Sequence, residues 1–337
     1  MNTVMPEPLV LEQQVAADQA GERLDQVAAM LFSDFSRARL QRWIRDGALL
    51  VDGAPGRPAQ RLSGGEWLRL EARLEPEGDV IAQPMALEVL HADEQVIVLD
   101  KPAGLVVHPA AGHADGTLQN GLLHRWPELE SVPRSGIVHR LDKDTSGVMV
   151  VARTLKAHAH LVAQLQDRRM GRVYEAVVHG LTPPRGTVDA PIGRHPSDRK
   201  RMAVVKNGKP AVSHYRRRTH FGHFSHLQVA LESGRTHQIR VHVQHLGFPM
   251  VGDPVYGQRI PKKSDVSDAA RAVVEAFPRQ ALHARTLRLE HPDSGEVVSF
   301  TAPVPDDLAG LLAALAEADP PPAAAGAGSA GPRDGAG

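Results

Sequence analysis

The stretch Gly136-Ile-Val-His-Arg-Leu-Asp-Lys-Asp-Thr-Ser-Gly147 runs directly into an apolar segment, residues 148–151. Polar, charged and turn-forming residues here meet a segment typical of a buried strand, and Asp142 lies at its entrance. Asp, Thr, Ser and Gly also make tight turns held by side-chain-to-backbone hydrogen bonds. Taken alone, the stretch therefore fits a structural turn as well as a reactive carboxylate.

Working outward, apolar runs and capping residues predict further elements of one large domain. Strands are predicted at residues 96–99, 172–178 and 224–231, and helices at 154–168 and 236–246. Thr236 is the expected N-cap of the second helix, and Gly247 its end. Because strands and helices do not alternate regularly, the pattern predicts an α+β fold with a mixed, largely antiparallel sheet.

The N-terminal region predicts a smaller unit of two helices on a small sheet. Leu24 to Leu31 has apolar residues on one helical face, and Ser36 can cap a second helix that ends at Asp46-Gly47. A strand at 49–51, a turn at 52–53 and a returning strand at 67–70 follow.

These elements set the predicted domain boundaries. We expect a flexible arm at residues 1–20, a small domain at 21–80, a larger domain at 85–312, and a disordered Pro/Ala/Gly-rich tail at 313–337.

Composition excludes several classes of protein. The 337 residues include no cysteine, which excludes disulfides, thiolate metal sites and a thiol nucleophile. The N-terminus has no basic, apolar signal sequence, and no run reaches the roughly 18–20 apolar residues of a membrane span. We therefore expect a cytoplasmic protein with no membrane association.

The formal net charge is zero, but the charges are segregated. Residues 190–245 contain eleven Lys and Arg, opposed there only by Asp198 and Glu232. Local positive charge attracts a polyanion whatever the total charge, although an ordinary solvated surface fits the same pattern.

A second chemical segment is Leu231-Glu-Ser-Gly-Arg-Thr-His-Gln-Ile-Arg-Val-His242. Arg240 lies beside the apolar stripe of the predicted helix, so we expect its guanidinium to be partly buried and to need an anion. A carboxylate such as Asp142 would satisfy this need and stay ionised, as a nucleophile requires.

The two segments resemble the signature motifs of the RluA-type pseudouridine synthases. Further segments match that family in order along the chain: residues 100–109, 173–177, 190–196, 209–215, 252–257 and 283–287. The match extends over residues 20 to 305. Within the family, the resemblance is greatest to enzymes that modify large-subunit ribosomal RNA.

The first domain resembles the S4-type RNA-binding domain. Its pattern appears as Arg23-Leu-Asp25, Ser36-Arg37, Gln41, Ile44, Gly47 and Asp52-Gly53. The chain has Gly64-Gly65-Glu66 where that domain often has Gly-Asp, so a carboxylate is retained one position later.

The family resemblance implies a role for each matching residue. Asp142 matches the essential aspartate, Arg240 the basic residue that pairs with it, and Tyr174 the tyrosine that stacks on uracil and helps to remove its C5 proton. Arg140 matches a residue that enters the base stack vacated by the flipped uridine. The other RNA-binding residues that the resemblance implies are Ser36, Arg37, Arg235 and His237.

The same resemblance implies the substrate and partners. It points to uridines in 23S ribosomal RNA, in the helix 69 stem-loop, on naked RNA or pre-50S particles. Another 23S site or a transfer RNA is the alternative. Because the reaction is an internal rearrangement without redox change, we expect no cofactor and no metal. Nothing in the sequence indicates a dedicated interface, so a monomer is the default.

Other interpretations remain open from the residues alone. Tyr174 also fits a core strand position. His237, His242 and His245 cluster on one predicted helix, but their spacing matches no common zinc signature. His139-Arg140 faintly resembles a kinase catalytic loop, although no Gly-rich phosphate loop precedes it. A non-catalytic RNA-binding assembly factor and a carboxylate-driven N-glycosidase are the rival functions.

Overall fold

The computed structural model describes residues 9–32, 35, 37–72, 80–109, 115–198, 201–257 and 265–320, with the side chains of residues 37 and 38 left aside. These residues divide into two compact units. One contains the chain up to residue 143 together with 148–170 and 288–300, and the other contains 144–147, 171–287 and the chain from 301 onward.

The first unit begins with a small antiparallel sheet and two helices. Its strands are β1 (Leu9–Gln14), β2 (Leu49–Val51), β3 (Ala54–Pro55) and β4 (Trp67–Ala72), in the order β1-β4-β2-β3. The helices are α1 (Leu24–Leu31) and α2 (Arg37–Arg45). Alternate residues of β4 are buried, as expected of a strand with one face on a core. Leu68 and Leu70 thereby join the apolar core of α1 and α2.

Two predictions for this region are corrected. Residues 9–14 form β1, which pairs with β4 along its whole length, where the sequence suggested a loose arm. The chain also returns from the turn at 52–53 into the short strand β3 before β4 pairs with β2. The predicted linker lies partly outside the described residues, and the domain boundary there stays a prediction.

The remaining elements follow in chain order. They are β5 (Glu88–Ala92), β6 (Val96–Lys101), α3 (Leu118–Arg125), β7 (Ser146–Ala152), α4 (Leu155–Gln166), β8 (Gly171–His179), β9 (Arg185–Asp189), β10 (Ile192–Arg194), β11 (Met202–Val204), β12 (Val212–His220), β13 (Phe224–Leu231), α5 (Gln238–His245), α6 (Asp268–Ala276), β14 (Leu282–Glu290), β15 (Val297–Thr301) and α7 (Asp306–Ala318). The predicted strands at 96–99, 172–178 and 224–231 and the helix at 154–168 are confirmed.

The large sheet is mixed and largely antiparallel, as predicted. In the described chain its strands run in the order β5-β6-β7-β14-β8-β13-β12-β9, with β15 beside β14. Neighbours β5/β6, β8/β13, β13/β12 and β12/β9 are antiparallel, whereas β14 pairs with the start of β7 in parallel. Every residue of β7 is buried, so the polar stretch that precedes it enters a central strand.

The predicted disordered tail is wrong for residues 313–318, which belong to α7. Leu308, Leu311 and Leu315 form one buried face of that helix and share a core with Ala270 and Val274 of α6. The rest of the predicted tail, from residue 321 onward, lies outside the described residues. No helix within the described ranges is long and apolar enough to cross a bilayer.

Candidate active site

Asp142, the predicted nucleophile, lies in the loop that leads into β7. Leu141 and Thr145 on either side are buried, Asp142 is half-buried, and Lys143 is exposed. The loop therefore holds its carboxylate at the surface of a buried framework.

A buried lysine fixes the backbone next to this carboxylate. Lys101 is 1% exposed, and its Nζ donates to the carbonyls of Pro102, Leu105 and Lys143 at 2.8, 3.0 and 3.0 Å. The amide of Gly104 donates to the same Lys143 carbonyl at 2.9 Å. The residue after Asp142 is thus held by two donors, one from the last residue of β6 and one from the loop that follows it.

A buried arginine holds the next residues of the loop. Arg279 Nη1 donates to the carbonyl of Asp144 at 3.1 Å, and Arg279 itself pairs with Asp307 through two bonds of 2.6 and 2.8 Å. Ser146 Oγ lies 3.0 Å from Nδ1 of the fully buried His283. Arg279 could not be predicted from the local sequence, because it lies 135 positions from Asp144.

Gly147, the second residue of β7, has a conformation that only glycine adopts easily. Its φ is +117°, and a Cβ there would meet the carbonyl oxygen of Ala284 and lie 2.7 Å from that residue's amide nitrogen. The close approach fixes where β7 begins.

Upstream of Asp142, His139 is attached to β7 and Arg140 is exposed. His139 Nε2 accepts from the Val150 amide at 3.1 Å, which places the imidazole proton on Nδ1. Arg140 is exposed next to it, as a residue that contacts RNA requires. Its base-stack role stays a prediction.

His108, from the first matching motif, lies near the positive charge of this segment. Burial lowers its pKa to about 4, the hydrogen bond to Gln119 opposes that shift, and Arg134 and Arg140 lower it further. His108 is thus neutral at physiological pH.

Tyr174 lies on β8 and is 7% exposed, opposite Val229 of β13. A buried strand tyrosine fits both the core position that propensity suggests and a tyrosine at the floor of a site. Its role in stacking and proton transfer stays a prediction.

Arg240, on α5, is buried more completely than the partial burial predicted from the sequence, and it pairs with the carboxylate of Asp253. Arg240 Nε and Nη2 donate to Asp253 Oδ2 and Oδ1 at 2.7 and 2.8 Å, with the side chains 5% and 0% exposed. Burial acts to raise the pKa of Asp253, but the hydrogen bond and charge of Arg240 overcome it and hold the pKa below its usual value. Pairing of Arg240 with Asp142 stays a prediction.

Tyr256 lies beneath this ion pair. Its ring centroid is 5.0 Å from the Arg240 guanidinium carbon and 5.3 Å from that of Arg201. Its hydroxyl accepts from the Met202 amide at 2.8 Å and lies 2.8 Å from His237 Nδ1. His237, which directly precedes α5, is therefore oriented by the fully buried Tyr256.

The start of α5 differs from the prediction. The helix begins at Gln238 after His237, which is left-handed with φ +58° and makes no side-chain cap bond, so Thr236 is not the N-cap. Gln238 Oε1 instead accepts from the Arg235 amide at 3.0 Å. Arg235 is half-exposed, with its Nε donating to the Pro210 carbonyl at 3.1 Å.

His242 satisfies core polar groups. Its Nδ1 lies 2.9 Å from Ser213 Oγ and its Nε2 lies 3.0 Å from the Ala190 carbonyl, and it is 1% exposed. Both ring nitrogens are thereby engaged within the protein.

In the small N-terminal sheet region, the structure brings part of the S4-type pattern together. Asp25 is fully buried and accepts from Arg23 Nε at 3.0 Å and from Gln41 Nε2 at 2.6 Å. Glu66 accepts from the amides of Ser63 and Gly64, so the retained carboxylate closes the last turn. Ser36 and the Arg37 side chain lie outside the described residues, and their RNA-binding roles stay predictions.

Comparison with known proteins identifies the family. A family model described as RNA pseudouridylate synthase matches residues 95–245, which include Asp142, Tyr174 and Arg240. The chain is 54% identical over 302 residues to ribosomal large subunit pseudouridine synthase D of Pseudomonas aeruginosa, covering 90% of this chain and 94% of that protein. The chain belongs to the RNA pseudouridylate synthases. As a member of this family, it is an isomerase.

Other relatives of this pseudouridine synthase agree. Ribosomal large subunit pseudouridine synthase D of Xanthomonas campestris is 52% identical over 320 residues, with 94% of this chain and 97% of that protein covered. The Escherichia coli K12 protein of the same description is 48% identical over 309 residues, with 91% and 95% covered.

Solved structures support the fold. Human RNA pseudouridylate synthase domain containing 1 has a TM-score of 0.51 at 27% identity, over 66% of this chain and 86% of that chain. Human RNA pseudouridylate synthase domain containing 4 has a TM-score of 0.54 at 25% identity, over 68% and 92%. The predicted family and fold class are both confirmed.

Proposed function

We propose that this pseudouridine synthase isomerises uridines of 23S ribosomal RNA in the helix 69 stem-loop. The observation that carries the proposal is the similarity to ribosomal large subunit pseudouridine synthase D proteins, near 50% identity over about 90% of the chain. The match extends well beyond the family's catalytic motifs, so it supports a shared substrate as well as shared chemistry.

In the proposed mechanism, Asp142 attacks the target nucleoside and the bond from ribose C1′ to uracil N1 breaks. The base turns, C1′ bonds to C5, and Asp142 is released from the nucleoside as a free carboxylate, while the C5 proton leaves and N1 gains a proton. Atoms and electrons balance without redox change, so the reaction needs no cofactor. Tyr174 stacks on the uracil and helps to remove the C5 proton, and Arg240 keeps the catalytic carboxylate ionised.

The local framework supports this assignment of Asp142. Lys101 and Gly104 hold the carbonyl of the following residue, and Arg279 holds the one after it. A nucleophile fixed before the substrate arrives avoids the entropic cost of ordering its loop during the reaction.

We propose that RNA is held through phosphate and base contacts by Arg140, Arg235 and His237, with Ser36 and Arg37 contributing from the N-terminal domain. Arg140 occupies the stack left by the flipped uridine. Flipping costs a few kcal/mol and least in a loop, which favours stem-loop targets. The enzyme acts in the cytoplasm as a monomer, on 23S RNA or on pre-50S particles.

The experiment maps pseudouridine by carbodiimide-dependent reverse-transcription stops. Unmodified 23S RNA, unmodified transfer RNA and precursor large subunits lacking the modification are each incubated with the protein. The proposal predicts stops in the helix 69 loop. Stops elsewhere in 23S RNA, or only in transfer RNA, would keep the isomerase and overturn the proposed substrate. Stops only with particles would make the assembling subunit the substrate.

A further inference from the structure

Arg172, on β8, is a buried arginine without a matching anion. The described chain buries three arginines, Arg172, Arg240 and Arg279, to 7%, 4% and 6% exposure. Arg240 and Arg279 each hold an aspartate through two bonds. Among the described residues, Arg172 has no carboxylate partner, its Nε has no acceptor, and its Nη2 reaches only the Glu232 carbonyl, at 3.4 Å.

A buried guanidinium without an anion destabilises the folded protein when no ligand is bound. A buried cation needs a paired anion to offset the loss of its hydration. The pKa of the Arg172 guanidinium is lowered by burial, and Tyr174 offsets part of that shift. Two well-paired arginines in the same unit show that the fold can supply carboxylates where it needs them. The missing partner of Arg172 therefore points to an anion from outside the chain.

Gly234 shows from which side an anion can arrive. A Cβ on Gly234 would lie 2.5 Å from Arg172 Nη1, so only the absence of a side chain makes room for the guanidinium there. The backbone of Gly234 does not require glycine, because its φ is not in the left-handed region. Gly234 is itself exposed, and so the guanidinium lies directly beneath exposed backbone.

The position of Arg172 relates this site to the target base. Arg172 and Tyr174 are two residues apart on one strand and therefore project from the same face. The planar fork of an arginine matches two oxygens of a phosphate, and a phosphodiester supplies the negative charge that the site lacks. The long contact to the Glu232 carbonyl is weak enough to be exchanged for such a ligand.

We propose that Arg172 binds one phosphate of the RNA backbone beside the target uridine, in a subsite that Gly234 keeps open. This inference rests on the proposed function, since it places the phosphate next to the base on which Tyr174 acts. The phosphate neutralises the guanidinium only in the RNA complex, so the free energy of this interaction contributes to substrate binding and not to folding.

The test combines Arg172→Met with RNA in which a single charged phosphodiester is replaced by an uncharged methylphosphonate. The substrate is a synthetic stem-loop containing the mapped uridine, with single methylphosphonate linkages placed one at a time around it. The wild type should lose on the order of 10-fold or more in kcat/KM at one linkage. Arg172→Met should show that loss on unmodified RNA and no further loss at the same linkage. Exposed Arg288→Met, on β14, is the charge-matched control and should keep the wild-type response.

Two further variants keep the test decisive. Gly234→Ala leaves Arg172 in place but displaces its guanidinium, so it should reproduce part of the loss at the same linkage.

Arg172→Met should also unfold at the same temperature as the wild type or higher, because it removes an uncompensated buried charge. A structural role for Arg172 predicts a lower unfolding temperature instead. If Arg172→Met does not fold, Arg172→Lys and Gly234→Ala provide the same comparison.

Failure of the proposed function can be distinguished from failure of the phosphate subsite. A wild-type protein that forms no pseudouridine on any RNA overturns the proposed function on which the inference rests. An active wild type with an equally active Arg172→Met overturns the phosphate subsite alone. Equal additional losses at every methylphosphonate linkage in Arg172→Met overturn it as well, since the residue would then recognise no particular phosphate.

Discussion

Arg240 and Asp253 form a bidentate ion pair with both side chains almost completely buried, at 2.7 and 2.8 Å. Asp253 also accepts from the amides of Val255 and Tyr256, at 2.8 and 3.0 Å. The carboxylate thus ties the predicted catalytic arginine to the turn after α5. Removal of the Asp253 carboxylate would leave the Arg240 guanidinium buried without its charged partner.

We expect Asp253→Asn to lower the free energy of unfolding by about 3 to 5 kcal/mol, the usual cost of breaking a buried pair. Asp307→Asn is the matched control. It breaks a similar pair with Arg279, but Asp307 is 37% exposed and Arg279 keeps three backbone carbonyls. Its cost should be near 1 kcal/mol. Urea unfolding of both variants measures the difference, and equal losses would contradict the account.

Gly147→Ala should destabilise the protein strongly. The new Cβ would overlap the backbone of Ala284 in a left-handed conformation, and we expect a loss of roughly 2 to 6 kcal/mol from overpacking and strain together. Gly104→Ala is the control, because Gly104 also has a positive φ, +86°, but open space around its Cβ. It should lose only about 1 to 2 kcal/mol. Thermal and urea unfolding report both values. A tolerated Gly147→Ala would show that β7 and β14 separate easily.

Acid should destabilise the fold through buried histidines, and His283 is the clearest case. Burial lowers the pKa of His283 to about 4, with the Ala302 carbonyl opposing part of the shift. The unfolded chain therefore binds the proton first. The contribution of His283 is complete above about pH 6.5 and is lost as the pH falls toward 4, by about 3 kcal/mol.

His283→Asn, whose amide can replace Nδ1 beside Ser146, should reduce the slope of unfolding free energy against pH between 6.5 and 4. Exposed His245→Asn is the control variant, because it leaves His283 and its buried surroundings in place. Urea unfolding at a series of pH values makes the measurement. The assignment fails if His283→Asn keeps the full wild-type slope.

The sequence predicted the elements that carry periodic apolar patterns, and it missed those that depend on partners. Helices α1 and α4 and strand β13 were predicted because their own residues show one buried face. Strand β1 was missed because its order comes from pairing with β4, and most of its side chains are exposed. Helix α7 was hidden by a composition rich in alanine, although three leucines mark its buried face.

The same distinction holds at the candidate site. Motif resemblance predicted Asp142, Tyr174 and Arg240, and the apolar stripe of α5 predicted that Arg240 is buried. The residue types indicated that Arg240 needs an anion but could not show that Asp253, thirteen positions later, supplies one. Lys101 lies within the matching segment 100–109, yet its bond to the Lys143 carbonyl joins residues 42 positions apart. Contacts of this kind depend on the fold and not on local pattern.

The most direct test of the central claim, that Asp142 drives isomerisation, is tritium release from RNA labelled at uracil C5. Joining C5 to the sugar expels that hydrogen, whereas hydrolysis of the base or simple binding does not. Asp144→Asn, two residues along the same loop, is the control. We expect release with unchanged RNA mass for the wild type and Asp144→Asn, and no release for Asp142→Asn. Release by Asp142→Asn at the wild-type rate would contradict it.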